Sequence, residues 1–229
     1  MGVTAGLSGG VGDAPLDSGK VLDDVGQGKP RAARESMTLA NPARRRKFPA
    51  LILVTDPVRL PDPRALMERL PRGAGVLLRP YGQPEAEGLA RRLAATARRR
   101  GLVLLVAGAD WRLAAKVGAA GVHLPEAVAR GHCLAGLRLW LKRGRLLSIA
   151  AHSRAGLARA ARLGADAALL SPVFPTASHP GAPTIGATRF ALWARDARVP
   201  VVALGGIDRR SARTLRFAAG RAAIGAFLG

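Results

Sequence analysis

The chain has 229 residues, 48% of them apolar and 4% aromatic, with a net charge of +21 and a single cysteine. That length and apolar share allow one large core, while a lone Cys133 excludes an internal disulfide framework and suits a reducing cytoplasm. No uncharged apolar run reaches the roughly 18 residues that a membrane span needs, so no membrane partner is expected.

Residues 1–48 carry eight Lys/Arg against five Asp/Glu and are rich in Gly, Ser and Asp, with no sustained apolar period. They are predicted to form a flexible, disordered N-terminal tail. They lack the apolar stretch of a signal peptide, and their acidic residues argue against a transit peptide. Met37 is an alternative start, and "RRRK" at 44–47 reads as a solvated lead-in to the fold. Most of the positive charge therefore lies beyond residue 48. A basic surface attracts anions in general. Here the arginines are scattered over many segments and stacking aromatics are scarce, so a bias towards Ala and Arg explains the charge better than a nucleic-acid surface does.

From residue 49 short apolar runs recur: "ALILVT" (50–55), "GVLLR" (75–79), "LVLLVA" (102–107), "GVHL" (121–124), "LLSIAA" (146–151), "AALLS" (167–171), "VVAL" (201–204) and "AAIGA" (222–226). Longer Ala/Arg/Leu segments with helical spacing separate them. In "EGLARRLAATARRR", Leu89, Leu93 and Ala97 share one face. "SRAGLARAARLG" has Ser153 as N-cap and Gly164 as C-cap, and "DRRSARTLRFAAG" repeats that design with Asp208 and Gly220. Strands apolar on both faces, alternating with helices, imply a parallel sheet covered by helices. Eight such units in residues 49–229 predict a compact α/β fold, a (β/α)8 TIM barrel whose final helix is truncated. A doubly wound open sheet is the alternative, although no G-x-G-x-x-G follows the first strand.

In such a barrel the loops leaving the carboxyl ends of the strands build the site. After the first strand, Asp56 reads as an organiser of its loop. Arg79 ends the second, in "LLRPYG", where a guanidinium suits a phosphate or diphosphate, and Tyr81 adds a ring and a hydroxyl. His152 ends the fifth strand, at the mouth, and is the candidate for proton transfer, with a capping role as the alternative. His123 reads as a packing residue and His132 as a surface one. After the sixth strand, "SPVFPTASHPGAP" is too rich in proline for regular structure and presents Thr176, Ser178 and His179. Gly205 and Gly206 in "ALGGID", followed by a helix starting at Asp208, and the turn at Gly225 and Ala226 after the eighth strand, predict a phosphate site.

These motifs resemble the thiamine phosphate synthase family and its relative thiazole tautomerase. The resemblance rests on "LILVTD", "DWRLAAKVGAAGVHL", "AAHSRAGLARAARLGADAALLSPVFPTASHPGAP" and "VPVVALGGI" and covers residues 50 to about 228. It implies a (β/α)8 barrel that binds small phosphorylated heterocycles, a thiazole phosphate and a pyrimidine diphosphate, and joins them into thiamine phosphate with release of diphosphate. In that chemistry a carbocation forms as the diphosphate leaves, and the thiazole nitrogen captures it. The resemblance places Thr176 and Ser178 at the diphosphate or thiazole region, Gly205, Gly206 and the Gly225 turn at the thiazole phosphate, and Arg79 at the arginine of the family's "QLREK".

A magnesium ion is also implied, but the family's two metal-binding aspartates fall at Ala109 and Val128. Glu126 and Asp110 stand nearby, out of place. The glutamine and lysine of "QLREK" read Leu77 and Tyr81, and the lysine of the sixth loop reads His179. A tautomerase needs only a proton shuttle beside a thiazole phosphate, a role that falls to His152. A barrel that binds a thiamine phosphate without turnover is the non-enzymatic alternative. A homo-oligomer is compatible with the sequence, and nothing in it specifies one.

Overall fold

The structure is a computed structural model that describes residues 47–80, 85–109, 111–131, 135–178 and 180–224. The predicted tail, apart from Lys47 and Phe48, lies outside them, as do Tyr81, Asp110, His132, His179, Gly225, Ala226 and the end of the last unit.

Eight strands, β1 (Leu51–Val54), β2 (Gly75–Leu78), β3 (Val103–Ala107), β4 (Gly121–Leu124), β5 (Leu146–Ala151), β6 (Ala167–Leu170), β7 (Val201–Leu204) and β8 (Gly220–Ala223), pair in sequence order. The barrel is closed, all parallel, with β8 returning to β1 through Leu51↔Arg221, Ile52↔Ala222 and Leu53↔Ala223. Closure removes the open-sheet alternative. Among the described residues, six α-helices lie between strands: α1 (Arg64–Arg69), α2 (Ala86–Arg100), α3 (Trp111–Lys116), α4 (Ala135–Leu141), α5 (Arg154–Arg162) and α6 (Ala187–Asp196).

Strand side chains alternate between two cores, as the period of two requires. Ile52, Val54, Leu77, Leu105, Leu169 and Val202 fill the interior of the barrel. Leu53, Val76, Leu78, Val106, Leu124 and Ile149 pack outward against the helices. Each such buried Leu, Ile or Val contributes roughly 1.5–3 kcal/mol relative to exposure. The same alternation turns His123 of β4 and Ser148 of β5 inward, where His123 Nδ1 and Ser148 Oγ lie 2.9 Å apart.

Helix α5 forms as its sequence dictates. The Ser153 hydroxyl accepts the Gly156 N–H at 3.1 Å. At the other end Gly164, with φ of 70°, lets the Ala165 N–H reach back to the Ala160 carbonyl, closing the helix in a Schellman turn.

The segment after β7 departs from expectation. Among the described residues no α-helix follows Asp208; a 3₁₀ turn at Ser211–Thr214 stands in its place. Asp208 does cap: its Oδ1 accepts the Ser211 N–H at 2.7 Å and the Ser211 hydroxyl at 2.8 Å. The hydroxyl of Thr214 then donates to the Ser211 carbonyl at 2.7 Å. Hydroxyls that occupy the local backbone in this way compete with helix propagation. Gly220 is likewise no helix cap. It opens β8, where a Cβ would stand 2.6 Å from the Ala50 carbonyl oxygen. The eighth strand therefore starts at Gly220, two residues before the predicted 222–226.

Candidate active site

The carboxyl ends of β1, β2, β5, β6, β7 and β8 surround one cavity of about 680 Å³. Arg59, Arg79, His152, Thr176, Ser178, Gly205 and Gly206 all contribute to its wall, with Pro183, Ile185, Leu204 and Ile224 as apolar surface. A second groove, of about 700 Å³, runs between α5 and α6. Its lining is helix side chains on the outside of the barrel, so it belongs to no strand end.

The proline loop is fastened at its base. The Val173 N–H donates to the Leu204 carbonyl at 3.0 Å and the Phe174 N–H to the Gly205 carbonyl at 3.1 Å, which prolongs the β6–β7 pairing. The chain returns with Ile185 and Gly186 N–H groups on the Pro172 and Val173 carbonyls. The same fastening gives Gly205 and Gly206 a structural reason of their own. Their φ values are 96° and 63°. A Cβ on Gly205 would stand 3.0 Å from Pro172 Cα, and one on Gly206 2.7 Å from the Phe174 carbonyl oxygen and closer still to that of Pro175. The glycines are required by the neighbouring loop, whatever ligand their main chain also meets.

At the same end of the barrel Asp56 organises the loop after β1. Its Oδ1 accepts the Val58 and Arg59 N–H groups at 3.1 and 2.9 Å. Its Oδ2 takes Arg59 Nη2 at 2.8 Å and lies 3.5 Å from Arg79 Nη2. The hydrogen bond from the Arg59 guanidinium holds the Asp56 carboxyl down at about 2, with the Arg59 N–H adding to it. Arg59 Nη2 also donates to Ser178 Oγ at 2.5 Å, linking the first and sixth loops. Ser178 N–H in turn reaches Thr176 Oγ1 at 3.3 Å. Arg59 is the site residue that sequence reasoning missed. It stands in an irregular loop, 119 residues from its partner Ser178.

His152 Nδ1 lies 2.8 Å from the Ser171 carbonyl oxygen. A carbonyl only accepts, so Nδ1 carries the proton and Nε2 is left as the basic nitrogen. The His152 main chain is held by Glu126, whose Oε2 accepts its N–H at 3.0 Å while Oε1 binds Arg130 at 2.9 Å and Arg159 at 3.2 Å. Burial pushes the Glu126 carboxyl up, but the bonds from Arg130 and from the His152 N–H outweigh it and keep the group below the ordinary carboxylate value. Deeper in the barrel, burial lowers His123 to about 4, assisted by the positive charge of Arg79 and of His152.

The "Thiamine monophosphate synthase" family profile matches residues 51–227, which span this whole barrel. The chain belongs to the thiamine monophosphate synthase family. A thiamine-phosphate synthase from Thioalkalivibrio sulfidiphilus is 34% identical over 161 residues, 68% of this chain and 74% of that protein. A putative thiamine-phosphate synthase from Geobacter sulfurreducens is 40% identical over 97 residues, 42% and 44% of the two chains. Among solved structures, a thiamine phosphate pyrophosphorylase from Pyrococcus furiosus superposes with a TM-score of 0.65 at 24% identity, over 78% of this chain and 86% of that one, which supports the fold.

The donor set of this family member does not fit the magnesium ion that the resemblance implied. Ala109 and Val128, at the expected ligand positions, carry no oxygen on their side chains. Glu126 is committed to Arg130, Arg159 and the His152 N–H, and Asp56 to Arg59 and Arg79. Among the described residues no three His, Cys, Asp or Glu side chains gather in a group that could hold a metal. Also among the described residues, no helix is long and apolar enough to cross a membrane.

Proposed function

We propose that the chain is a transferase that joins a hydroxymethylpyrimidine diphosphate to a thiazole phosphate, giving thiamine phosphate and diphosphate. The observation that carries this reading is the single cavity whose wall holds Arg59 and Arg79 on one side, Thr176 and Ser178 on a second and Gly205–Gly206 on a third. Its volume lies within the usual range for small-ligand sites and suits two small heterocycles together. In the reaction the carbon–oxygen bond to diphosphate breaks, the leaving oxygen keeps the electron pair, and the thiazole nitrogen supplies the new carbon–nitrogen bond. The task of the protein is charge stabilisation of the leaving group, which Arg79 is placed to give. The hydroxyls of Thr176 and Ser178 orient the substrates, and the apolar wall at Leu204 and Ile224 excludes water. The lone Cys133 fits action in a reducing cytoplasm.

The protein incubated with both substrates is expected to release diphosphate and thiamine phosphate in equal amounts, read by chromatography. Diphosphate without thiamine phosphate, or neither product, removes the synthase. A second reading, thiazole tautomerase, is favoured by the His152 tautomer, which leaves a basic Nε2 on a residue that lines the cavity. Isomerisation of the thiazole phosphate in chelator, abolished by His152→Ala, would establish it. Tight binding of thiazole or thiamine phosphate with neither turnover would leave a sensor barrel.

A further inference from the structure

We infer that Arg59 supplies the second fixed positive charge of a diphosphate site in this cavity, in place of a divalent cation, so that diphosphate binding here is independent of magnesium. The inference rests on the reading above and specifies how its anionic leaving group is held. Three observations converge on it. Arg59 lines the cavity with Arg79, and both guanidiniums share one carboxylate, that of Asp56. At Asp56 two cations share one anion, and the carboxylate of Asp208, also in the lining, is engaged by the Ser211 N–H and hydroxyl.

Arg59 is also pre-positioned. Its Nη2 is tied to Asp56 and Ser178 at once, so its long side chain is ordered before a ligand arrives. Both ties run through one corner of a planar group that carries five N–H donors, a geometry that matches phosphate oxygens in pairs. Finally, among the described residues no group of carboxylates stands ready for a metal. Ala109 and Val128 offer no ligand, and Asp56 is neutralised by the arginines. A divalent cation brought beside Arg59 and Arg79 would be repelled by both.

The test is calorimetric titration of the full chain with inorganic pyrophosphate, in EDTA and in excess magnesium at matched ionic strength, with thiazole phosphate as a second ligand. Wild type is expected to bind pyrophosphate in EDTA at least as tightly as in magnesium. Arg59→Gln should weaken that binding 10-fold or more, and Arg59→Lys should recover part of it. Pyrophosphate binding that needs magnesium, or an Arg59→Gln variant that binds like wild type, overturns the role of Arg59. If thiazole phosphate still binds in that case and both products are released, the proposed function stands while this inference falls. Failure of both ligands to bind the folded protein overturns the two together.

Discussion

A carboxylate oxygen of Glu126 accepts the main-chain N–H of His152 at 3.0 Å, across 26 residues of sequence. The acceptor follows β4 and the donor directly follows β5, so one hydrogen bond holds the point where the fifth strand gives way to its helix. The other oxygen of the same carboxylate binds Arg130 and Arg159. The start of the segment that carries the imidazole is thereby set by a buried carboxylate with two arginine partners.

Removing that carboxylate should be costly. Glu126→Ala leaves the His152 N–H without its acceptor and the half-buried Arg159 without its counterion, for an expected loss of about 2–4 kcal/mol in urea unfolding. Glu126→Gln keeps an oxygen for the N–H and should lose about half as much. Equal losses in the two variants would show that charge pairing, rather than the acceptor, sets the stability.

Gly206→Ala should be more damaging than its size suggests. The new methyl would press on the Phe174 and Pro175 carbonyls at a positive φ, and the loop that carries Thr176 and Ser178 must shift. The expected cost is about 1–3 kcal/mol in stability, together with at least a tenfold loss in affinity for thiazole phosphate. A variant that unfolds and binds like wild type would mean that the loop has room to retreat.

His123 makes stability depend on pH. Its folded value of about 4 lies below the ordinary 6.5, so between these values the unfolded chain binds a proton that the folded one refuses. Stability should therefore be full above about pH 6.5 and fall as the pH drops towards 4, by an amount on the order of 3 kcal/mol. His123→Asn, which can keep an acceptor for Ser148, should flatten that part of the curve. An unchanged slope between pH 7 and 4.5 in denaturant titrations would locate the dependence elsewhere.

Asp56 acts further down the scale. Its folded value of about 2 is below the ordinary 3.8, so its contribution is present above about pH 4 and lost as the pH falls through 2. With Arg59 partly exposed, the effect should be on the order of 1–2 kcal/mol. Asp56→Asn should remove that acid-limb loss, measured as the difference between the two proteins in melting temperature from pH 4.5 to 2.5.

The barrel was legible because burial on both sides leaves a simple mark: Leu146 to Ala151 or Val201 to Leu204 read as strands without any knowledge of their neighbours. Caps were legible for the same local reason, as Ser153 and Gly164 show. The helix expected after Asp208 was not, because the spacing of "RRSARTLRF" satisfies a helix while the hydroxyls of Ser211 and Thr214 take over its backbone bonds. The lining of the cavity was legible where a residue directly follows a strand, as Arg79 and His152 do. Arg59 was hidden since nothing local distinguishes one loop arginine from another; only the fold brings it to Ser178. Gly205 and Gly206 were noticed, yet sequence does not say what stands where their side chains would be, and the occupant proved to be the chain itself.

That fastening has a wider consequence. Val173, Phe174, Ile185 and Gly186 hold both feet of the sixth loop through main-chain groups. Those bonds ask nothing of the side chains there, so a substitution at either foot keeps the clasp as long as the new side chain fits, whereas a change at Ser178 reaches the first loop through Arg59.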